Sequence, residues 1–183
     1  REMELLAQVG VDLPGAVEVL PIDTVPSQRV ERTIFSRGGR RDGESAGWRF
    51  SLAGVGLKFS MLKDFDRFTC PATGAGGDWI VKLPDKVYRG VPVNEYAMMS
   101  LAAKVGISVP EIKLVHRDEL VGLPGNVWVS NEEYAFAVRR FDRDESRSKI
   151  HIEDFAQVRG FYPEDKYNGN FETVASLSFR SYD

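Results

Sequence analysis

The sequence predicts an α+β fold: an antiparallel sheet with one helix, passing into a helical part. Three observations carry this. Between residues 48 and 84, short β-branched and aromatic runs alternate with glycine-bearing connections, as strands joined by turns do. Between residues 92 and 106 the apolar positions change to helical spacing. From Lys149 onward the pattern is helical again.

Each element follows in order. Leu5, Leu6 and Val9 share one helical face, with Gly10 as the stop. Pro14-Gly15 makes a turn before an alternating strand, Ala16 to Leu20. Residues 21 to 46, polar and rich in arginine and glycine, read as a mobile linker or loop whose arginines suit solvent or an acidic partner. Trp48 to Leu52 is a strand, "AGVG" the connection, and Leu57 to Leu62 the next strand. "TCPATGAGG", Thr69 to Gly77, is a second loop, and "DWIVKLP" a β-branched strand ended by Pro84. Pro92 and Asn94 open a helix in which Tyr96, Met99 and Ala103 align, and Gly106 closes it. "ISVPEIKLV" is a further strand, while "NVWVS" and "EYAFAVRRFD" read as an antiparallel pair around "NEE". "KIHIEDFAQVRG" is helical up to Gly160, "FYPEDKYNGN" is a loop, and "FETVASLSF" begins another helix. The expected divisions are 1–46, an N-terminal helix, strand and polar loop; 47–143, the sheet-bearing lobe; and 144–183, the start of a helical lobe.

Composition narrows the function classes. The 183 residues, 43% of them hydrophobic, suffice for one domain with a buried core or two subdomains sharing a cleft. A net charge of -3 provides no domain-wide basic field for nucleic acid. The single cysteine, Cys70, excludes an internal disulfide and fits a reducing cytoplasm or a buried small hydrophobe. No apolar run approaches the roughly 18 residues of a membrane span, and "REMELLAQVG" lacks the shape of a signal peptide. The expected location is therefore cytoplasmic. His116 and His151 stand far apart without neighbouring ligand patterns, so no metal site and no Ser-His-Asp or Cys-His constellation is expected from them.

Three stretches carry candidate chemistry. Lys82 ends the apolar run "WIVK", where a charged head must face a cleft or meet a partner. Glu95, near the start of the next helix, is one such partner, and is equally explained as an acid favoured by the helix macrodipole. Gly54 and Gly56 lack Cβ atoms, so the backbone from Ala53 through Val55 to Lys58 is able to approach an anion, with Lys58 adding a cation. A third glycine is absent, so "AGVG" alone reads as an ordinary turn as readily as a phosphate loop, and Ser51 as a strand serine or a phosphate acceptor. In "VRRFDR", Val138 to Arg143, an apolar strand gives way to charge: either a solvated Arg–Asp network or a linker offering backbone groups to a base.

The order of elements is also that of a protein-kinase-like small lobe leading into a large lobe, where a strand lysine paired with a helix glutamate holds phosphates. The segments "DLPGAV", "FSLAGVGLKFSM", "WIVKLP", "NEYAMMSLAAKVGISVPEIKL", "FAVRRFDR", "HIEDFAQVRGFYPEDKY" and "NGNFETVASL" together resemble the HipA family of toxin serine/threonine kinases, over most of residues 10 to 177. The resemblance implies a two-lobed kinase fold using ATP and Mg²⁺. It also implies a helix-turn-helix antitoxin of HipB type as partner, with DNA bound only through that antitoxin. An aminoacyl-tRNA synthetase is the implied class of substrate, and no membrane is involved. By matching position, Ser51 corresponds to the family's autophosphorylated serine, Ala53 to Lys58 to its phosphate loop and Lys82 to its ATP-binding lysine. Arg139 and Phe141 correspond to linker residues whose backbone meets adenine. The chain departs from the family where glutamine is common (Gly56), where proline is common (Leu57) and where glutamate is common (Arg139). The family's catalytic "HGDxHxKN"-like stretch and metal-binding aspartate have no match before Asp183, so catalytic and Mg²⁺-binding residues are expected beyond it. With no methionine at position 1 either, the chain reads as an inactive piece of a longer kinase. A non-catalytic module that masks or scaffolds a toxin is the alternative.

Overall fold

The computed structural model describes residues 10–19, 56–71, 76–123 and 126–180. The expected helix before Gly10, the 21–46 linker and the 48–52 strand lie outside the described residues. So do Ser51, Ala53, Gly54 and Val55. The chain divides into two units, Arg1–Ile150 and His151–Asp183.

The described residues of the first unit hold six strands: β1 (Lys58–Asp64), β2 (Arg67–Thr69), β3 (Trp79–Lys82), β4 (Ile112–His116), β5 (Leu120–Val121) and β6 (Tyr134–Arg139). They form one mixed sheet in the order β4-β6-β3-β1-β2-β5. Among these, β2 and β5 run parallel and the other neighbours antiparallel. Val91–Lys104 forms helix α1, with Pro92 buried in its first turn. It ends as expected at Gly106, in the left-handed region at φ 88. Gly106 donates to the Ala103 carbonyl at 3.1 Å and Ile107 to that of Ala102 at 3.0 Å, which satisfies the last helical carbonyls.

Side chains alternate across the sheet, and one face is the core. Phe59, Met61, Trp79, Val81, Val115, Ala135 and Ala137 lie on it, all buried. Leu120, Leu123, Val127 and Trp128 pack against this cluster. Phe68 meets Trp79 edge-to-face, with ring centroids 5.4 Å apart.

Several expected elements are corrected. "NVWVS" is not a strand and does not pair with β6: Val127 and Trp128 serve as a cover for the core, and β6 lies between β3 and β4. Residues 16–19 form no strand; the Val19 N–H returns to the Gly10 carbonyl at 2.9 Å, folding the segment onto the 3₁₀ turn Gly10–Asp12. β2 and β5 were not expected. β1 turns into β2 through Phe65-Asp66, with Phe65 at φ 50 and 90% exposed, so this tight turn lacks the glycine that usually marks one.

In the second unit, helix α2 is the single turn Phe155–Val158 and not a helix from Lys149. Asp154 is its N-cap, in a reciprocal capping box with Gln157. Upstream, Arg143 bridges Lys149, and the Ile150 N–H donates to the Asp142 carbonyl, so that stretch belongs to the first unit. A 3₁₀ turn, Pro163–Asp165, precedes helix α3, Phe171–Arg180, where Asn170 accepts from the Thr173 N–H at 2.9 Å.

Candidate functional site

The face of the sheet opposite the core carries the candidate chemistry. Residues directly opposed on antiparallel strands share a face. Leu114 opposes Phe136, Phe136 opposes Lys82, and Lys82 opposes Lys58, so these four make one row across β4, β6, β3 and β1. The next row is Ile112, Val138, Ile80 and Ser60. Helix α1 packs against β4 and β6. Ile80, Lys82 and Lys58 remain only half-buried, over β3 and β1.

Lys82 Nζ lies 2.5 Å from Glu95 Oε2. It also stands 5.6 Å from the Phe136 ring centroid. The structure decides between the two sequence readings of Glu95. It sits past the first turn of α1, which holds no acidic residue, so the helix dipole does not account for it. The two side chains are 36% and 31% exposed. An ion pair that open adds only about 0–1 kcal/mol to stability. Its consequence is placement: Glu95 fixes the Lys82 ammonium on the open face, in the row that also holds Lys58.

Gly56 is exposed, and a Cβ there would meet nothing within 4 Å. The backbone next to Lys58 is therefore open to approach. The Leu57 carbonyl accepts from the Leu83 N–H at 3.0 Å, which ties this connection to the end of β3, one residue from Lys82.

Arg139 lies three residues along β6 from Phe136, about 10 Å of strand, and its side chain belongs to the opposite face, paired with Trp79. The Arg139 side chain is thus absent from the Lys82 face. The Arg139 N–H already donates to the Glu111 carbonyl at 2.8 Å, and that of Arg140 to the Asp78 carbonyl at 2.9 Å. Phe141 is 68% exposed. A depression of about 570 Å³ is lined by Ser108–Glu111 and Arg139–Phe141. The structure thus gathers Lys58, Lys82 and Glu95 on one face and leaves Arg139 and Phe141 at the strand exit.

Sequence reasoning offered an Arg–Asp network at "VRRFDR" but missed its burial and its partner Asp12. Arg140, fully buried, donates through Nε and Nη2 to both oxygens of Asp142 (2.8 and 2.7 Å) and through Nη1 to Asp12 (2.8 Å) and Ser60 (3.1 Å). Arg143 donates to Asp12 at 3.0 Å and Asp142 at 2.9 Å, and to the Gly15 and Leu13 carbonyls. Burial pushes the Asp142 carboxyl up, but the hydrogen bonds from Arg140 and Gly15 and the two guanidinium charges outweigh it, and it titrates below the ordinary carboxylate range. The solvated Arg–Asp reading of "VRRFDR" is thus half right: the network exists, but it is buried. Its one signal in the chain is the density of charge directly after an apolar strand.

Among the described residues, no three histidine, cysteine, aspartate or glutamate side chains group so as to hold a metal ion. Also among them, no helix is long and apolar enough to cross a membrane.

A model of the HipA-like C-terminal domain matches residues 50–182. The chain belongs to the HipA family. It is 45% identical, over 97% of its length, to Y4dM of Sinorhizobium fredii, whose name marks it as a candidate kinase, and covers 42% of that protein. It is 26% identical to a protein of Shewanella oneidensis named serine/threonine-protein kinase toxin HipA, over 92% of this chain and 39% of that protein. Among solved structures it matches a chain from the Shewanella oneidensis HipA, HipB and operator DNA complex with a TM-score of 0.56 and 25% identity, over 94% of this chain and 42% of that one. The chain thus spans about two fifths of the length of these curated relatives. The α+β fold of this HipA chain is the one expected from the residue pattern.

Proposed function

We propose that this chain is the nucleotide-binding part of a HipA-type serine/threonine protein kinase. The observation that carries the reading is the Lys82–Glu95 pair on the half-open face of the sheet. In this reading Lys82 holds the α- and β-phosphates of ATP, and Glu95 keeps its ammonium in place. The 53–58 connection lies over the phosphates, with Gly56 admitting close approach and Lys58 adding charge on the same face. Ile80 and Val138 floor the space between Lys82 and the linker. The base meets the backbone at Arg139 and Phe141. Ser51, at the edge of the same connection in sequence, is the acceptor within the protein: its Oγ bonds to the γ-phosphorus of ATP as the bond to the β,γ-bridging oxygen breaks, ADP leaves, and the hydroxyl proton passes to solvent. Among the described residues no cluster of acidic or histidine side chains is placed to hold the Mg²⁺ that would accompany ATP. A HipB-type antitoxin is the proposed partner, with DNA reached only through it, and an aminoacyl-tRNA synthetase the proposed substrate class.

The test uses the intact gene product. Lys82→Ala is expected to weaken ATP binding at least tenfold in calorimetry, the loss of a charge-assisted contact of about 1.5–3 kcal/mol, and to abolish phosphorylation of Ser51 by mass spectrometry. A Lys82→Ala protein that binds ATP like the wild type overturns the assignment. A wild type that binds no ATP but holds an antitoxin tightly supports the alternative reading, a masking module.

A further inference from the structure

The buried charges around Arg140 lie beside the linker and not at Lys82. Replacing such a network with apolar side chains is often neutral or stabilising, so net stability is a weak reason for its presence. A guanidinium instead imposes geometry, because its donors form a rigid planar fork. Arg140 grips both oxygens of Asp142 two residues on, which sets the bend that carries Phe141 outward. Through Ser60 the same side chain is tied to β1, and Ser60 in turn accepts from the Gly77 N–H at 3.1 Å, just before β3. Asp12 receives both arginines, and the Gly15 N–H donates to Asp142 at 2.8 Å. Asp12 lies 128 residues before Arg140. The linker on which the base is proposed to rest is therefore clamped by a segment far away in the chain.

We infer that Asp12 is a positioning residue: the segment Asp12–Gly15 straps down the linker Arg139–Phe141, and nucleotide affinity depends on the strap being docked. This rests on the proposed nucleotide site. Linkage makes the dependence mutual: whatever the docked strap adds to nucleotide binding, bound nucleotide returns to docking. Asp12→Asn keeps the shape of the side chain and removes the charge that both arginines need.

In the intact gene product, Asp12→Asn is expected to raise the Kd and KM for ATP about tenfold and leave kcat within about twofold. A general loss of structure would lower kcat as well. A second measurement needs no mutation. Saturation of the wild type with a non-hydrolysable ATP analogue is expected to slow amide exchange at Gly15 and Gly77 about tenfold more than at Arg117, whose N–H donates to the Glu133 carbonyl at the opposite end of β6 from the linker. A folded Asp12→Asn protein with wild-type Kd and KM overturns the inference. If that variant does not fold, equal slowing at Gly15, Gly77 and Arg117 overturns it. A wild type that binds no analogue removes the proposed nucleotide site and the strap with it, whereas equal binding by wild type and variant removes the strap alone.

Discussion

At the residue scale, chemistry depends on surroundings that single letters do not reveal. Cys70 packs against the core cluster, and burial pushes its thiol up to about 11. At pH 8 only about one molecule in a thousand then carries the reactive thiolate. Cys70 is expected to resist iodoacetamide at pH 8 in the folded protein and to react quickly in urea; equal rates by mass spectrometry would contradict its burial. The same limit applies to Lys82 and Glu95. Residue type and spacing nominated both, because a charge at the end of "WIVK" needs a partner. Whether Glu95 answered Lys82 or the helix dipole was settled by the 2.5 Å contact and by its place beyond the first turn. Asp12 and Ser60 carry no local pattern at all; their roles arise from Arg140, 128 and 80 residues away respectively.

At the element scale, α1 and β3 were legible and β2 and β5 were not. Helix α1 has its start signal in Pro92 and its stop in Gly106, both consequences of backbone sterics within a few residues. Gly106→Ala isolates that effect, since a Cβ at Gly106 meets nothing within 4 Å and only the positive φ resists it. The expected cost is about 1–2 kcal/mol, read as a lower urea midpoint at constant slope; an unchanged midpoint would show that Gly106 does not end the helix in this way. The short edge strands escape because β2 follows a turn without glycine and β5 is two residues long. The mistaken pairing of "NVWVS" with β6 has a related cause. Alternating apolar residues suit a strand and a core cover equally, and only the identity of the neighbours separates them.

At the scale of the whole molecule, the buried network makes the first unit sensitive to acid. The folded-state titration of Asp142 is lowered, so its contribution to stability is fully present above the unfolded carboxylate range, near 3.9, and is lost as pH falls through the folded value. The thermal midpoint is expected to change little between pH 7 and 5 and to fall steeply below about pH 4; a flat profile down to pH 3 would rule this out. Periodicity and turn residues by themselves determined the class of the fold, the lysine-bearing central strand and the helix that follows it, because these follow from backbone and burial rules acting over a few residues. Tertiary structure alone decided that β6 lies between β3 and β4, that Lys58 and Lys82 share a face with Glu95 reaching it, and that Asp12 grips the linker. Those contacts join residues tens to more than a hundred positions apart, and their energies depend on burial and direction, neither of which is written in any local stretch of the chain.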